Sequence, residues 1–343
     1  MRYQGIKVTL ITGFLGAGKT TLIRSLLEKA PPHERWAVLV NEFGDIGLDG
    51  VFYADLGVAI REVPGGCVCC VTSAAFQQGL NQLVRQYNPD RIFIEPSGLG
   101  HPKQIISKLL DPMYQDVFLF TGAFCVLDAR NLSNPRYTEH AIFNEQIESA
   151  DGIVLSHVDR YSLENDQQAE TYFTQLLAKG IAPNIFRTQP MGLDVQALDI
   201  RLLNNKAPRL LHHHHDHDHD HDHDHDHDHD HASTFNVIGH YSKQQGAMQV
   251  LGWRWSHMTR FDEASVRSHL DVMASLPEIY RIKAVLSLDA KTAVFVNVSK
   301  GEISILHSAW TGESLCEVIG HADGNWVNMV KTCFDGGENT PFL

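Results

Sequence analysis

The sequence predicts an α/β protein: a doubly wound, mostly parallel P-loop sheet, then a His/Asp-rich linker, then a small α+β, ferredoxin-like domain. Three observations carry this. From Lys7 to about Ala207, short β-branched runs alternate with longer amphipathic stretches, the pattern of βαβ units around a parallel sheet. The strand-like runs are almost continuously apolar, as in a sheet covered by helices on both faces. A glycine loop, residues 13–20, stands between the first such run and the first helical stretch.

In chain order, strands are expected at Val8–Ile11, Trp36–Val40, Arg91–Ile94, Phe124–Leu127 and Gly152–Ser156, with helices at Thr20–Ala30, Ala74–Tyr87 and Asn144–Ala150. From Leu211 to Ala232 the composition collapses to His and Asp, with no apolar group to offset the entropy of ordering. Beyond it, Phe235–Ile238, Gln249–Trp255, Ala284–Leu288, Ala293–Val298 and Glu302–His307 read as strands, and Phe261–Leu276 and Trp326–Cys333 as helices. The expected division is residues 1–210, 211–232 and 233–343. Trp253, Trp255 and Phe261 are expected in the core of the last unit or on a partner-facing surface.

Composition excludes several classes. Hydrophobic residues are 43% and charged residues 20% of the chain, and no apolar run approaches the roughly 18 residues of a membrane span. The basic-then-apolar start is too short for an export signal and reads as the first buried strand, so a cytoplasmic location is expected. The formal charge is −13, but eight aspartates between Asp216 and Asp230 supply most of it. The remainder is mildly acidic and lacks the basic patch a nucleic-acid surface needs.

Gly13-Phe14-Leu15-Gly16-Ala17-Gly18-Lys19-Thr20 fits G-x-x-x-x-G-K-[ST] in the required strand-to-helix context. Gly13, Gly16, Ala17, Gly18 and Thr21 are expected to wrap a phosphate, Lys19 to reach the β- and γ-phosphates, and Thr20 to ligate Mg²⁺. Glu95, ending an apolar strand, is the expected acid on the Mg²⁺ side, and Gly98 is expected to present its N–H to the γ-phosphate. Lys19, Thr20 and Glu95 are thus the catalytic candidates. Asp159, in Ser156-His157-Val158-Asp159, is the expected acceptor for the N1–H and amine of guanine. Its segment departs from Asn-Lys-x-Asp, the usual form in GTPases.

Three of six cysteines, Cys67, Cys69 and Cys70, fall within four residues. Such thiols in a chain without export features read as metal ligands or as a redox pair, with a soft ion such as Zn²⁺ the first expectation. His101 is a loop histidine, expected to be solvated or to add a ligand. His212, His213, His214, His215, His217 and His219 begin a tract of overlapping imidazole ligand sets for Zn²⁺, Co²⁺ or Ni²⁺. Ligands that must be deprotonated should lose metal below about pH 6.

With Gly13–Thr20, Asn-Glu-Phe-Gly-Asp-Ile-Gly-Leu-Asp at Asn41–Asp49, Gly-Gly-Cys-Val-Cys-Cys at Gly65–Cys70 and Glu-Pro-Ser-Gly-Leu-Gly at Glu95–Gly100, the chain resembles the CobW-type branch of the SIMIBI-class P-loop GTPases. Within it, the zinc-binding YeiR-type GTPases are the most similar group. The resemblance covers the first 200 residues or so well and the rest loosely, through Arg281-Ile282-Lys283. It implies slow hydrolysis of GTP to GDP, a metal site at Cys67, Cys69 and Cys70, a first switch holding Glu42 and Asp49, and metal delivery to a client metalloprotein. A metal- or nucleotide-dependent homo-oligomer is a further expectation. Two other readings stay open: a metal-buffering protein with a regulatory P-loop domain, and cobalt delivery for corrin synthesis or nitrile hydratase maturation.

Overall fold

The apolar runs assemble into two sheets, one parallel and one antiparallel. The computed structural model describes residues 3–42, 52–53, 56–64, 74–187, 193–203, 237–245 and 247–335. The first sheet contains β1 (Ile6–Thr12), β2 (Trp36–Glu42), β3 (Ala59–Pro64), β4 (Arg91–Pro96), β5 (Phe118–Leu127), β6 (Gly152–Leu155) and β7 (Asn184–Arg187). Their order is β3-β2-β4-β1-β5-β6-β7, with every pairing parallel.

The continuity of the apolar runs has a direct cause. Val8, Leu10, Leu39, Ile92 and Ile94 face one core with Phe76, Leu80 and Leu83 of α2 (Ala74–Tyr87) and Ile105 of α3 (Pro102–Leu109). Their neighbours Ile11, Val38, Val40 and Phe93 face another, with Leu22, Ile23 and Leu26 of α1 (Lys19–Leu27). Successive strand residues point to opposite faces, so burial of both faces demands apolar residues at every position. Fully burying each such side chain contributes about 1.5–3 kcal/mol. Two further helices, α4 (Ala141–Glu148) and α5 (Leu163–Ala178), complete this unit, α5 opening on a Ser162–Asn165 capping box. Because β1 lies between β4 and β5, the loops leaving their carboxyl ends converge, as at the ligand edge of doubly wound sheets.

The second sheet holds β8 (Val237–Gln245), β9 (Met248–Trp255), β10 (Ile279–Ser287), β11 (Thr292–Ser299), β12 (Glu302–Ala309) and β13 (Ser314–His321), all antiparallel, in the order β12-β11-β10-β13-β9-β8. Helix α6 (Glu263–Ala274), capped by Asp262, joins β9 to β10, and α7 (Trp326–Asp335) follows β13. The unit is α+β, and its sheet is larger than the ferredoxin-like expectation: in chain order the edge strand β12 stands between β11 and β13, where that pattern has a second crossover helix. Trp253, Trp255 and Phe261 are core residues at 5% exposure or less. Strand β10 begins five residues before the expected start at Ala284, because the buried charges of Arg281 and Lys283 interrupt its apolar pattern. Among the described residues, no helix is long and apolar enough to cross a membrane.

Candidate nucleotide site

Strand β1 ends at Thr12 and α1 begins at Lys19, so the glycine loop spans the gap between them. Gly13, Gly16 and Gly18 all hold positive φ, which only glycine adopts without strain. At Gly16 a second constraint acts: a β-carbon would stand 1.9 Å from Oγ of Ser299 in β11, so the second domain closes on the apex of the loop. Ala17 is buried and donates its N–H back to Phe14 O at 3.2 Å, whereas Thr21 lies exposed on the first turn of α1.

The Lys19 ammonium is 5% exposed and donates to Gly13 O at 3.0 Å. Burial pushes it down to about 8; nearby Glu95 acts upward and Arg281 downward. The charge is therefore held in the cradle without enough compensation from the protein, which favours an anionic ligand.

Thr20 Oγ1 donates to Glu95 Oε1 at 2.8 Å, and Tyr53 donates to the other carboxylate oxygen. Glu95 is 1% exposed at the end of β4. Burial, then the Glu95 charge, pushes the Tyr53 phenol well above its usual range, so it remains a donor. A hydroxyl and a carboxylate beside a phosphate cradle form an all-oxygen donor set suited to a hard cation such as Mg²⁺. Gly98 packs directly on the loop: a β-carbon there would meet Leu15 N at 2.8 Å. Gln146 donates to both Gly98 O and Gly100 O, at 3.1 and 3.2 Å, and braces this segment from α4.

Ser156 and His157 lie beside Gly18, whose β-carbon would stand 3.8 and 3.9 Å from their side chains. His157 takes the left-handed conformation and places Nδ1 3.1 Å from Ser156 Oγ. Asp159 follows in a single 3-10 turn with its carboxylate exposed. The segment adjoins the cradle through Ser156 and His157.

A cavity of about 420 Å³ opens above the cradle, within the usual range for ligand pockets, and residues of both domains line it. Gly16, Lys19, Thr20, Arg24, Glu28 and Glu95 form one wall, and Arg281, Lys283, Phe295 and Trp310 the other. The sequence reading assigned no site residue to the second domain. The available signal was the spacing of Arg281 and Lys283, which puts both charges on one face of an otherwise apolar strand.

A second junction joins the domains near His157. Asp128, at the end of β5, accepts from Arg130 and, at 3.0 Å, from Lys300 of the β11–β12 turn. Burial acts to raise the Asp128 carboxyl, but these two cations hold it below the usual range. Glu302 in turn accepts from Arg130 at 2.7 Å and from Arg160.

The remaining expected residues do not all enter the site. Glu42 closes β2, while Asp49, Cys67, Cys69, Cys70 and the tract holding His212, His213, His214, His215, His217 and His219 lie outside the described residues. Among the described residues no cluster of three or more His, Cys, Asp or Glu groups could hold a metal. His101 is paired through Nδ1 with Glu145 at 2.7 Å. Cys125 and Cys316 are buried, unpaired thiols within the two cores.

Residues 7–181, just over half of the chain, match the family described as CobW/HypB/UreG, nucleotide-binding domain. The zinc chaperone YeiR of Escherichia coli (strain K12) is 47% identical over 169 residues, covering 49% of this chain and 52% of that protein. Zinc-regulated GTPase metalloprotein activator 1 of Schizosaccharomyces pombe is 37% identical over 171 residues, covering 46% of this chain and 40% of that protein. The Zn(II)-bound YjiA GTPase from E. coli aligns over 94% of this chain and 95% of its own, at 19% identity and a TM-score of 0.42. The chain spans about half the length of the curated relatives it matches. By the extent and specificity of the match, this chain belongs to the CobW/HypB/UreG nucleotide-binding-domain family.

Proposed function

We propose that this chain is a GTP-hydrolysing, zinc-binding metallochaperone, which converts GTP to GDP and phosphate and couples that cycle to binding zinc and passing it to a client metalloprotein. The observation that carries the nucleotide half is the contact of Thr20 with Glu95 inside the glycine cradle that also buries Lys19. In this reading Lys19 holds the β- and γ-phosphates. Thr20 and Glu95 hold Mg²⁺, which when bound neutralises charge on the transferring phosphoryl group. Gly98 offers its N–H at the γ-phosphate, and the exposed Asp159 accepts from the guanine edge. Lys19 and Glu95 are both buried, which strengthens their contacts with phosphate and Mg²⁺.

Zinc is cargo in this scheme. Cys67, Cys69 and Cys70 are the proposed thiolate ligands, with Co²⁺ or Ni²⁺ as weaker matches to three sulfurs. The names of the related zinc chaperones support the choice of metal. The cysteines lie in sequence between the first switch, with Glu42 and Asp49, and the Glu95–Gly98 segment. A triphosphate that orders both flanks alters the geometry of the thiols, and by reciprocity metal alters nucleotide affinity. The tract from His212 to His231 keeps metal concentrated near that loop.

The test is GTP turnover with and without Zn²⁺ in the wild type and in Cys67→Ala/Cys69→Ala, with ATP as control. A zinc response that disappears in the double variant is expected. Equal turnover of ATP removes the role of Asp159, and a zinc response unaltered by the substitutions detaches the thiols from the cycle.

A further inference from the structure

Lys283 brings the second domain to the metal-side end of the phosphate cradle. Its Nζ donates to Thr20 Oγ1 at 3.4 Å and stands 4.9 Å from the ring centre of Phe52. Thr20 is the residue that also touches Glu95, so this ammonium lies on the side of the cradle where the β- and γ-phosphates belong. Arg281 leaves the same face of β10 two residues earlier. It is 7% exposed and is anchored on Glu317 at 2.9 Å, which in turn accepts from Tyr241 at 2.8 Å. The Nε of Arg281 is buried with no partner among the described residues. Among the described residues, the cations Lys19, Arg24, Arg281 and Lys283 and the carboxylates Glu28 and Glu95 line the cavity. Half of those cations, Arg281 and Lys283, belong to the second domain.

The reach of Lys283 is set by packing. Ser299 seals β11 onto Gly16, and Lys283 pairs with Asn297 of β11 in the ladder, so β10 is held at a fixed height above the cradle. Phe52 meets Phe295 of β11 edge-on at 5.7 Å, and the adjacent Tyr53 donates to Glu95. Residues 52–53 are therefore clamped between the second domain and the acid of the cradle.

We propose that Lys283 is a phosphate ligand supplied by the second domain, gripping the γ-phosphate end of bound GTP, with Arg281 as the positioning residue behind it. The proposal rests on the nucleotide reading above and extends it. Loss of the γ-phosphate removes the anion that Lys283 holds and loosens the second domain from residues 52–53. Domain contact then follows nucleotide state.

Equilibrium binding of a fluorescent non-hydrolysable GTP analogue and of fluorescent GDP tests this in the wild type, Lys283→Met and Lys283→Arg. Methionine keeps the stem over Phe52 and removes the charge; Lys283→Gln is the second neutral variant should the first not fold. A lost charge-assisted hydrogen bond is expected to weaken the triphosphate roughly ten- to hundredfold. GDP should change by less than about threefold, and Lys283→Arg should keep the triphosphate within about threefold of the wild type. Unchanged triphosphate affinity in the neutral variants overturns the proposal and leaves the proposed function intact. Equal weakening of both nucleotides also overturns it, by reducing Lys283 to a structural contact. A wild type that binds neither nucleotide overturns this proposal and the proposed function together.

Discussion

Thr20 and Glu95, 75 positions apart in the chain, meet through a 2.8 Å hydrogen bond from hydroxyl to carboxylate at the carboxyl edge of the parallel sheet. Tyr53 occupies the second carboxylate oxygen. Two donors thus orient the acid, and an ion that takes Thr20 and Glu95 as ligands must displace or share those donors.

Substituting Glu95→Gln keeps the shape and removes the charge. Nucleotide affinity is expected to lose its dependence on Mg²⁺, and GTP turnover to fall by roughly two to three orders of magnitude, the scale of one preorganised electrostatic contact. Calorimetric titration in Mg²⁺ and in EDTA checks the first, and phosphate release the second. A variant that still responds to Mg²⁺ as the wild type does would remove Glu95 from the ion site.

Lys19 gives a pH dependence of defined sign. Its ammonium is pushed down to about 8 from the ordinary 10.5, chiefly by burial. The unfolded chain therefore binds the extra proton between these values, and the ligand-free protein gains stability as pH rises through that window. A bound polyphosphate favours the ammonium, so binding takes up a proton once the pH exceeds about 8, and affinity declines toward tenfold per pH unit above it. Binding measured from about pH 7 to about pH 9 should be level and then fall. Lys19→Met should bind more weakly throughout and lose the fall.

Gly98 carries a steric prediction. A β-carbon at this position would meet Leu15 Cδ2 at 2.7 Å, N at 2.8 Å and Cα at 3.0 Å, and the two backbone atoms cannot rotate aside. Gly98→Ala should displace the cradle and weaken nucleotide binding by about tenfold or more, with about 1–3 kcal/mol of lost stability. Gly180 has φ of 77° and open space around it, so Gly180→Ala isolates backbone strain. That control should lose about 1–2 kcal/mol and leave nucleotide affinity unchanged.

Local signals made the cradle and five of the seven strands of the first sheet legible in the sequence; the edge strands β3 and β7, short and only partly apolar, were not. Two-sided burial wrote itself into the runs at Val8–Ile11 and Arg91–Ile94, and the cradle is one contiguous stretch whose glycines answer to positive φ. Tyr53, Asp128 and the second-domain wall escaped because their significance depends on contacts between distant residues. Strand β13 escaped as well: Glu317 breaks its apolar pattern, and only the fold shows that the charge is matched by Arg281 on the adjacent strand. Ser299, an unremarkable serine in sequence, becomes the lid on Gly16 only once β11 is placed over the loop.

Thiol chemistry separates the cysteines by role. Cys125 is 2% exposed and burial pushes its thiol up to about 12, while Cys316, fully buried, lies well above its usual range. Burial also raises Cys333, which is half-buried on α7. A thiol attacks as the thiolate, so these three have little reactivity near neutral pH. Brief alkylation of the native protein at about pH 7.5, read by peptide mass, should modify Cys67, Cys69 and Cys70 first, Cys333 slowly, and Cys125 and Cys316 only after denaturation. One equivalent of Zn²⁺ should protect the first three, and a non-hydrolysable GTP analogue should change the degree of protection. If zinc leaves their labelling unaltered while still binding the protein, the metal sits elsewhere, and deletion of the histidine–aspartate tract then decides whether it is the sole site.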